Sequence, residues 1–148
     1  MNLIFQQRPT PVLPEHRPLY KISQILLILF LASRGNRSSL ARLHLFNWAL
    51  KSPDRTARLS AAARSKSLNI SAWGFDPALA IAINFACAEE LISTSGGGYD
   101  LTDKGEALAK EITRDPHTLP GEKEALITIG KGITEGMVEA IAKGWDSK

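Results

Sequence analysis

The chain has a single cysteine, Cys87, among 148 residues. That excludes an intramolecular disulfide and a four-thiolate zinc site. Its neighbours Phe85, Ala86 and Ala88 mark Cys87 as a small core residue. Histidine is scarce too. His16, His44 and His117 stand far apart with no metal-ligand spacing, and His44 reads as a structural histidine between apolar neighbours. No apolar run approaches the roughly twenty residues that a membrane span needs; residues 25–32 make only eight. The N-terminus lacks a charged segment followed by an apolar run, so neither a signal peptide nor a membrane partner is expected, and the cytoplasm is the expected compartment. Catalytic signatures are missing as well. Gly130-Lys131 is followed by Gly132, where a phosphate loop needs serine or threonine, and no serine stands in a G-x-S-x-G elbow. Glu89-Glu90 reads as a surface pair near a helix end. An enzyme is not expected, nor a cofactor, a metal or a small-molecule substrate.

What is present is an uneven charge distribution. The net charge of +3 conceals a balance of +9 over residues 1–75 and −6 over residues 76–148. A basic half can meet nucleic acid or an acidic protein, or simply attract the other half of the molecule. The composition, 44% hydrophobic and 22% charged, is that of a globular domain with appendages.

Residues 1–18 form a proline-rich arm. Pro9, Pro11, Pro14 and Pro18 forbid a helix there, and Leu3, Ile4 and Phe5 give it an apolar tip suited to a partner surface. A first helix is expected over 20–33. Ile22, Ile25, Leu26, Ile28, Leu29 and Phe30 cover nearly every side of it, so part of it is expected in an interface. Ser38 or Ser39 caps a second helix running to about Lys51, with Arg37, Arg42 and Lys51 outside its apolar face. Pro53 stops it. Residues 54–75 read as an insertion in which Arg55, Arg58, Arg64 and Lys66 decorate a short alanine-rich helix.

The stretch 93–112, STSGGGYDLTDKGEALAKEI, is the most informative. Gly96, Gly97 and Gly98 make a tight reversal cheap. Tyr99 and Leu101 alternate around Asp100 as in a strand, and Thr102 caps the helix that follows, with Asp103 in its first turn. Before the glycines, DPALAIAINFACAEELI reads as a helix, with Asp76 as N-cap and Pro77 at the first position. Helix, glycine-tipped hairpin and a further helix resemble the third helix and wing of a winged helix-turn-helix. The fold class expected is therefore mostly α. It comprises an extended arm over 1–18, a winged-helix domain with a two-stranded wing over 19–115, and a C-terminal helical segment over 116–148. That segment is expected to hold one helix over about 122–143. Leu126, Ile129, Ile133, Met137 and Ile141 form its core stripe, and Gly132, Gly136, Ala140 and Gly144 a small-residue stripe. Glycine inside a helix costs about 1 kcal/mol against alanine, so the stripe points to close approach of another backbone. That backbone belongs either to a partner subunit or to this chain's own first helix.

Base reading favours Arg, Lys, Asn or Gln on the groove-entering helix, and phosphates demand positive charge. The helix at 77–92 has neither Lys nor Arg; its polar residues are Asn84, Glu89 and Glu90. The hairpin tip carries only Ser, Thr and Gly. If double-stranded DNA is bound, the candidate residues are Arg37, Arg42, Lys51, Arg55, Arg58, Arg64 and Lys66, and binding is backbone-led. The combined order of RPLYKISQILLILFLASRG, SSLARLHLFNWALKS, DPALAIAINFACAEELI and GYDLTDKGEALAKEI over residues 17–113 resembles the winged-helix middle component of bacterial three-component ABC-ATPase systems, Lamassu-type antiphage defence among them. The resemblance implies a small non-catalytic adaptor. It would sit with an SMC-like ABC ATPase subunit and an effector subunit in a complex that senses foreign DNA. Two further readings stand beside it: a winged-helix transcriptional regulator binding operator DNA, and a kleisin-associated subunit of a chromosome-organising complex.

Overall fold

The computed structural model describes residues 18–70 and 73–146. Seven α-helices and a small antiparallel sheet make up these residues. The order is α1 (Pro18–Leu31), β1 (Arg37–Ser39), α2 (Leu40–Ala49), α3 (Pro53–Ser65), α4 (Pro77–Ala88), β2 (Ile92–Ser95), β3 (Gly98–Leu101), α5 (Asp103–Arg114), α6 (Pro120–Ile129) and α7 (Glu135–Asp146). Helix starts follow local chemistry. Ser39 accepts a hydrogen bond from the Arg42 N–H, Ser52 from that of Arg55, Asp76 from that of Ala78 and Thr102 from that of Gly105. Proline at the first turn of α3 and α4 presets the helical φ. Gly96 and Gly97 turn the β2–β3 hairpin at φ of 53° and 82°, the left-handed region that favours glycine.

Helix α1 is the axis of the molecule. Ile25, Leu26, Leu27, Ile28 and Leu29 are all fully buried, packed by α2, α4, α5 and α6. The expectation that part of α1 lies in an interface is therefore corrected: its own chain covers it. The C-terminal segment supplies part of that cover, since Leu126, Ile129, Ile133 and Val138 belong to the same core as α1.

Two further expectations change. The sheet has three strands, in the order β1-β3-β2, because Arg37–Ser39 pairs with β3 (Arg37 opposite Asp100, Ser39 opposite Gly98). And the expected single helix over 122–143 is two. Gly130, at φ 61°, ends α6 and donates its N–H to Leu126 O at 2.8 Å. Thr134 then starts α7, its Oγ1 accepting from the Met137 N–H at 3.2 Å. The glycines that make a continuous helix costly here mark its break.

Candidate functional site

The basic residues singled out by the sequence divide into three environments. Arg37 reaches along the sheet to the hairpin tip, where its guanidinium donates to the carbonyls of Ser95 and of Gly96 (3.2 Å) and lies 3.5 Å from the Asp100 carboxylate. A cation thus stands at a tip expected to have none. Arg42, expected on the surface, is only 2% exposed. Its Nε donates to Ile133 O at 2.8 Å and its Nη1 to Ser33 Oγ at 2.7 Å. Nη2 donates to Ala32 O, and the guanidinium lies 4.7 Å from the Phe46 ring centroid. Burial lowers its pKa to about 10, against a smaller opposing pull from Glu135. Arg42 is thus a tie between α2, the end of α1 and the loop before α7, and is not available to DNA.

The remaining cations lie on α2 and α3. Arg55 and Arg58 both stack on Trp48, at 4.8 and 5.7 Å from the ring centroid, and Arg55 Nη1 donates to Trp48 O at 3.3 Å. Neither makes an ion pair within 4 Å among the described residues. Lys51, nearby, pairs with Asp76 at 3.1 Å. Arg64 falls two and a half helical turns beyond Arg55 and lines a groove of about 620 Å³ between α3 and α6. Lys66, at φ 57°, ends α3 and is exposed. The structure therefore brings Arg55 and Arg58 together around Trp48 and sets Arg64 apart.

Helix α4 presents a different surface. Leu79, Ala82, Ile83 and Ala86 face the core. Pro77, Ala80, Ile81, Asn84, Phe85 and Ala88 face outwards or are left uncovered. Ile81 is 52% exposed and Phe85 50%, and Phe75, just before the helix, is 70% exposed. Among the described residues the fourth large exposed apolar side chain, Ile127 at 62%, is on α6. Scattered single exposures are ordinary; Ile81 and Phe85 stand one turn apart on the same face of α4, with Phe75 exposed just ahead of its first turn. Beside Phe75 a cleft of about 250 Å³ opens between α2, α4 and β3, lined by Leu40, Pro77, Ala80, Ile83 and Tyr99, with His44, Asp76 and Asn84 as its polar members.

Charge surrounds this face only at its ends. At the start of α4 the Asp76 carboxylate takes hydrogen bonds from Asn47 Nδ2, from Lys51 Nζ and from the Ala78 N–H, each within 3.1 Å, with Lys21 Nζ at 3.6 Å. Burial works against its ionisation, but these donors outweigh that and hold its pKa well below the usual carboxylate range. His44 Nδ1 accepts the Asp76 N–H at 3.3 Å, and its ring meets Phe75 edge-on at 4.5 Å. Burial lowers the His44 pKa, and the Asp76 charge only partly restores it. At the other end Glu89 and Glu90 are exposed, with Lys104 Nζ donating to Glu89 O at 2.9 Å.

The small-residue stripe does not survive the break between α6 and α7. Gly132 lies in the intervening loop, where a Cβ would stand 2.8 Å from Ala63 Cβ and 3.0 Å from Ala63 O. Close approach of a backbone is real there, and the backbone is α3 of the same chain. Gly136 and Ala140 are exposed on α7, where a Cβ at Gly136 meets nothing nearer than Thr134 Oγ1 at 3.8 Å. Gly144 lies near the end of α7. The apolar tip Leu3, Ile4 and Phe5 lies outside the described residues.

Among the described residues no cluster of three or more His, Cys, Asp or Glu could hold a metal ion, and no helix is long and apolar enough to cross a membrane. Compared with protein-family models, with curated proteins and with solved structures, the chain matches none. Sequence reasoning passed over Phe75, Ile81 and Phe85. The signal was present, because α4 is apolar at nearly every position, but the same pattern in α1 carries no such meaning.

Proposed function

We propose that the protein is a non-catalytic winged-helix adaptor that docks an SMC-like ABC ATPase and an effector in an antiphage defence complex. The order helix, strand, helix, inserted helix, helix and hairpin, with the first strand paired to the hairpin, supports the winged-helix reading. One observation carries the adaptor reading. The helix that a winged-helix DNA reader would place in the major groove has no cation and exposes Ile81 and Phe85 instead. Such a face gains by meeting apolar protein surface, about 25 cal/mol per Å² buried, and offers nothing to phosphate. DNA, where it is met, meets the Arg55–Trp48–Arg58 surface, through backbone contacts that do not depend on sequence.

The test is co-expression with an SMC-like ABC ATPase. The two are expected to co-purify, and Phe85→Asp to abolish this while leaving the fold intact. An operator-binding regulator behaves otherwise: one preferred duplex, lost on changing Asn84, with Phe85→Asp leaving ATPase co-purification unaffected or without any ATPase to bind.

A further inference from the structure

We infer that the α4 face receives an amphipathic helix of the partner protein, with one apolar side chain in the cleft beside Phe75, others against Ile81 and Phe85, and cations over Glu89 and Glu90. This rests on the adaptor reading of that face and adds the chemistry of what it binds.

The size of the face argues for a helix. Twelve residues of α4 span about 18 Å, and a helix is roughly 10 Å wide. Such a strip is far below the ~800 Å² per partner of a standard interface between folded proteins, so a second copy held by this strip alone is disfavoured. Helix-in-groove recognition works at this scale. Ile81 and Phe85, spaced i and i+4, form a ridge, and a second helix sets its own ridges on either side of such a row. The cleft of about 250 Å³ is floored by Leu40, Ile83 and Tyr99, and its volume suits one leucine- or phenylalanine-sized anchor. Of the polar groups that also line it, His44 spends its Nδ1 on the Asp76 N–H and the Asp76 carboxylate is taken up by Asn47, Lys51 and the Ala78 N–H, so apart from Asn84 at its edge the cleft meets its occupant with apolar side chains.

Charge sets the polarity. The end of α4 carries exposed Glu89 and Glu90, with Asp103 nearby and Lys104 the opposing cation. The helix C-terminus adds its own negative potential. The start of α4 is already supplied with Lys21 and Lys51 around Asp76. A partner helix with lysine or arginine at one flank therefore complements the Glu89–Glu90 end, and one with acidic residues there is repelled.

Fluorescence anisotropy on the full chain tests this with two fluorescein-labelled amphipathic peptides. They share one pattern of leucines and differ only in carrying lysines or glutamates at one flank. The lysine peptide is expected to bind about tenfold tighter than the glutamate peptide. Glu89→Lys with Glu90→Lys should reverse that preference, and Phe85→Asp should remove binding of both. Ile127→Asp, which alters the exposed apolar residue on α6, should change neither. Equal affinity for the two peptides, or a preference that survives the charge reversal, overturns the inference. So does sedimentation showing dimers that Phe85→Asp dissolves, which would assign the face to a second copy. A large gain in peptide affinity on deleting residues 2–17 would assign it to the chain's own arm and overturns it equally. Co-purification with the ATPase separates the two levels. If it still depends on Phe85 while neither peptide is preferred, the partner chemistry is wrong and the adaptor reading stands. If it ignores Phe85→Asp, both fall.

Discussion

Helices α1 and α4 are both predominantly apolar, the first rich in leucine and isoleucine and the second in alanine, and they end in opposite surroundings. Both are apolar at almost every position and carry no acidic residue inside their bounds. Yet α1 is enclosed by four other helices, while α4 covers only Leu79, Ala82, Ile83 and Ala86 and leaves Ile81 and Phe85 in solvent. Composition marks both as helices that need covering. The topology decides which is covered: α1 lies at the centre of the packing, with the C-terminal segment closing one side of it, and among the described residues nothing covers Ile81 and Phe85 of α4. Among the described residues, the exposed large apolar side chains of these two helices are therefore on α4 and not on α1.

The sharpest way to break that comparison is truncation on each helix. Leu26→Ala on α1 removes fully buried side-chain atoms and is expected to cost about 2–5 kcal/mol of unfolding free energy. Ile81→Ala on α4 is expected to stay within about 0.5 kcal/mol. Urea unfolding monitored by circular dichroism reads both. Comparable losses at the two positions would mean that α4 is covered after all.

The glycines give the next largest contrast. Gly132→Leu drives bulk into Ala63 of α3, where even a Cβ stands 2.8 Å from Ala63 Cβ, and should cost about 1–3 kcal/mol. Gly136→Ala has open space around it on α7 and should stabilise by up to about 1 kcal/mol. The same denaturation series separates them, and a neutral Gly132→Leu would contradict the α3 packing.

A smaller effect concerns the groups at the start of α4. The His44 pKa is lowered from 6.5 in the folded state, so the unfolded chain takes up the proton first. The stability this group supports is present above pH 6.5 and is lost as pH falls below it. Asp76, depressed from 3.8 by its hydrogen-bond donors, adds a further loss only below about pH 4. Thermal melts at pH 7.5 and pH 5 should therefore show a lower midpoint at pH 5. His44→Asn, which keeps an acceptor for the Asp76 N–H without titrating there, should shrink that difference. An unchanged difference would remove His44 from the account.

Much of this architecture is written locally. Asp76 with Pro77, Thr102 with Asp103, and the glycines at 96–98 announce their caps and their turn because each acts on backbone within a few residues. What was not legible depends on partners distant in sequence. Arg37–Ser39 becomes a strand only because Gly98–Asp100 arrives beside it. Arg42 reads as a surface cation until Ala32, Ser33 and Ile133 converge on its guanidinium. Gly132 asks for a close backbone without saying whose, and Ala63 is the answer. The α4 face is the same kind of case, since exposure of Phe85 is a property of what the rest of the chain leaves open.

The central claim is that α4 meets protein while the Arg55–Trp48–Arg58 surface meets any DNA. One paired measurement addresses it most directly: Phe85→Asp and the double variant Arg55→Glu, Arg58→Glu, each assayed for co-purification with an SMC-like ABC ATPase and for anisotropy with specific and random duplexes at two salt concentrations. Expected is a clean crossing. Phe85→Asp loses the ATPase and keeps DNA binding; the arginine variant keeps the ATPase and weakens all duplexes alike, with a shallower salt dependence. Loss of one preferred duplex on altering α4, with the ATPase unaffected, would contradict it.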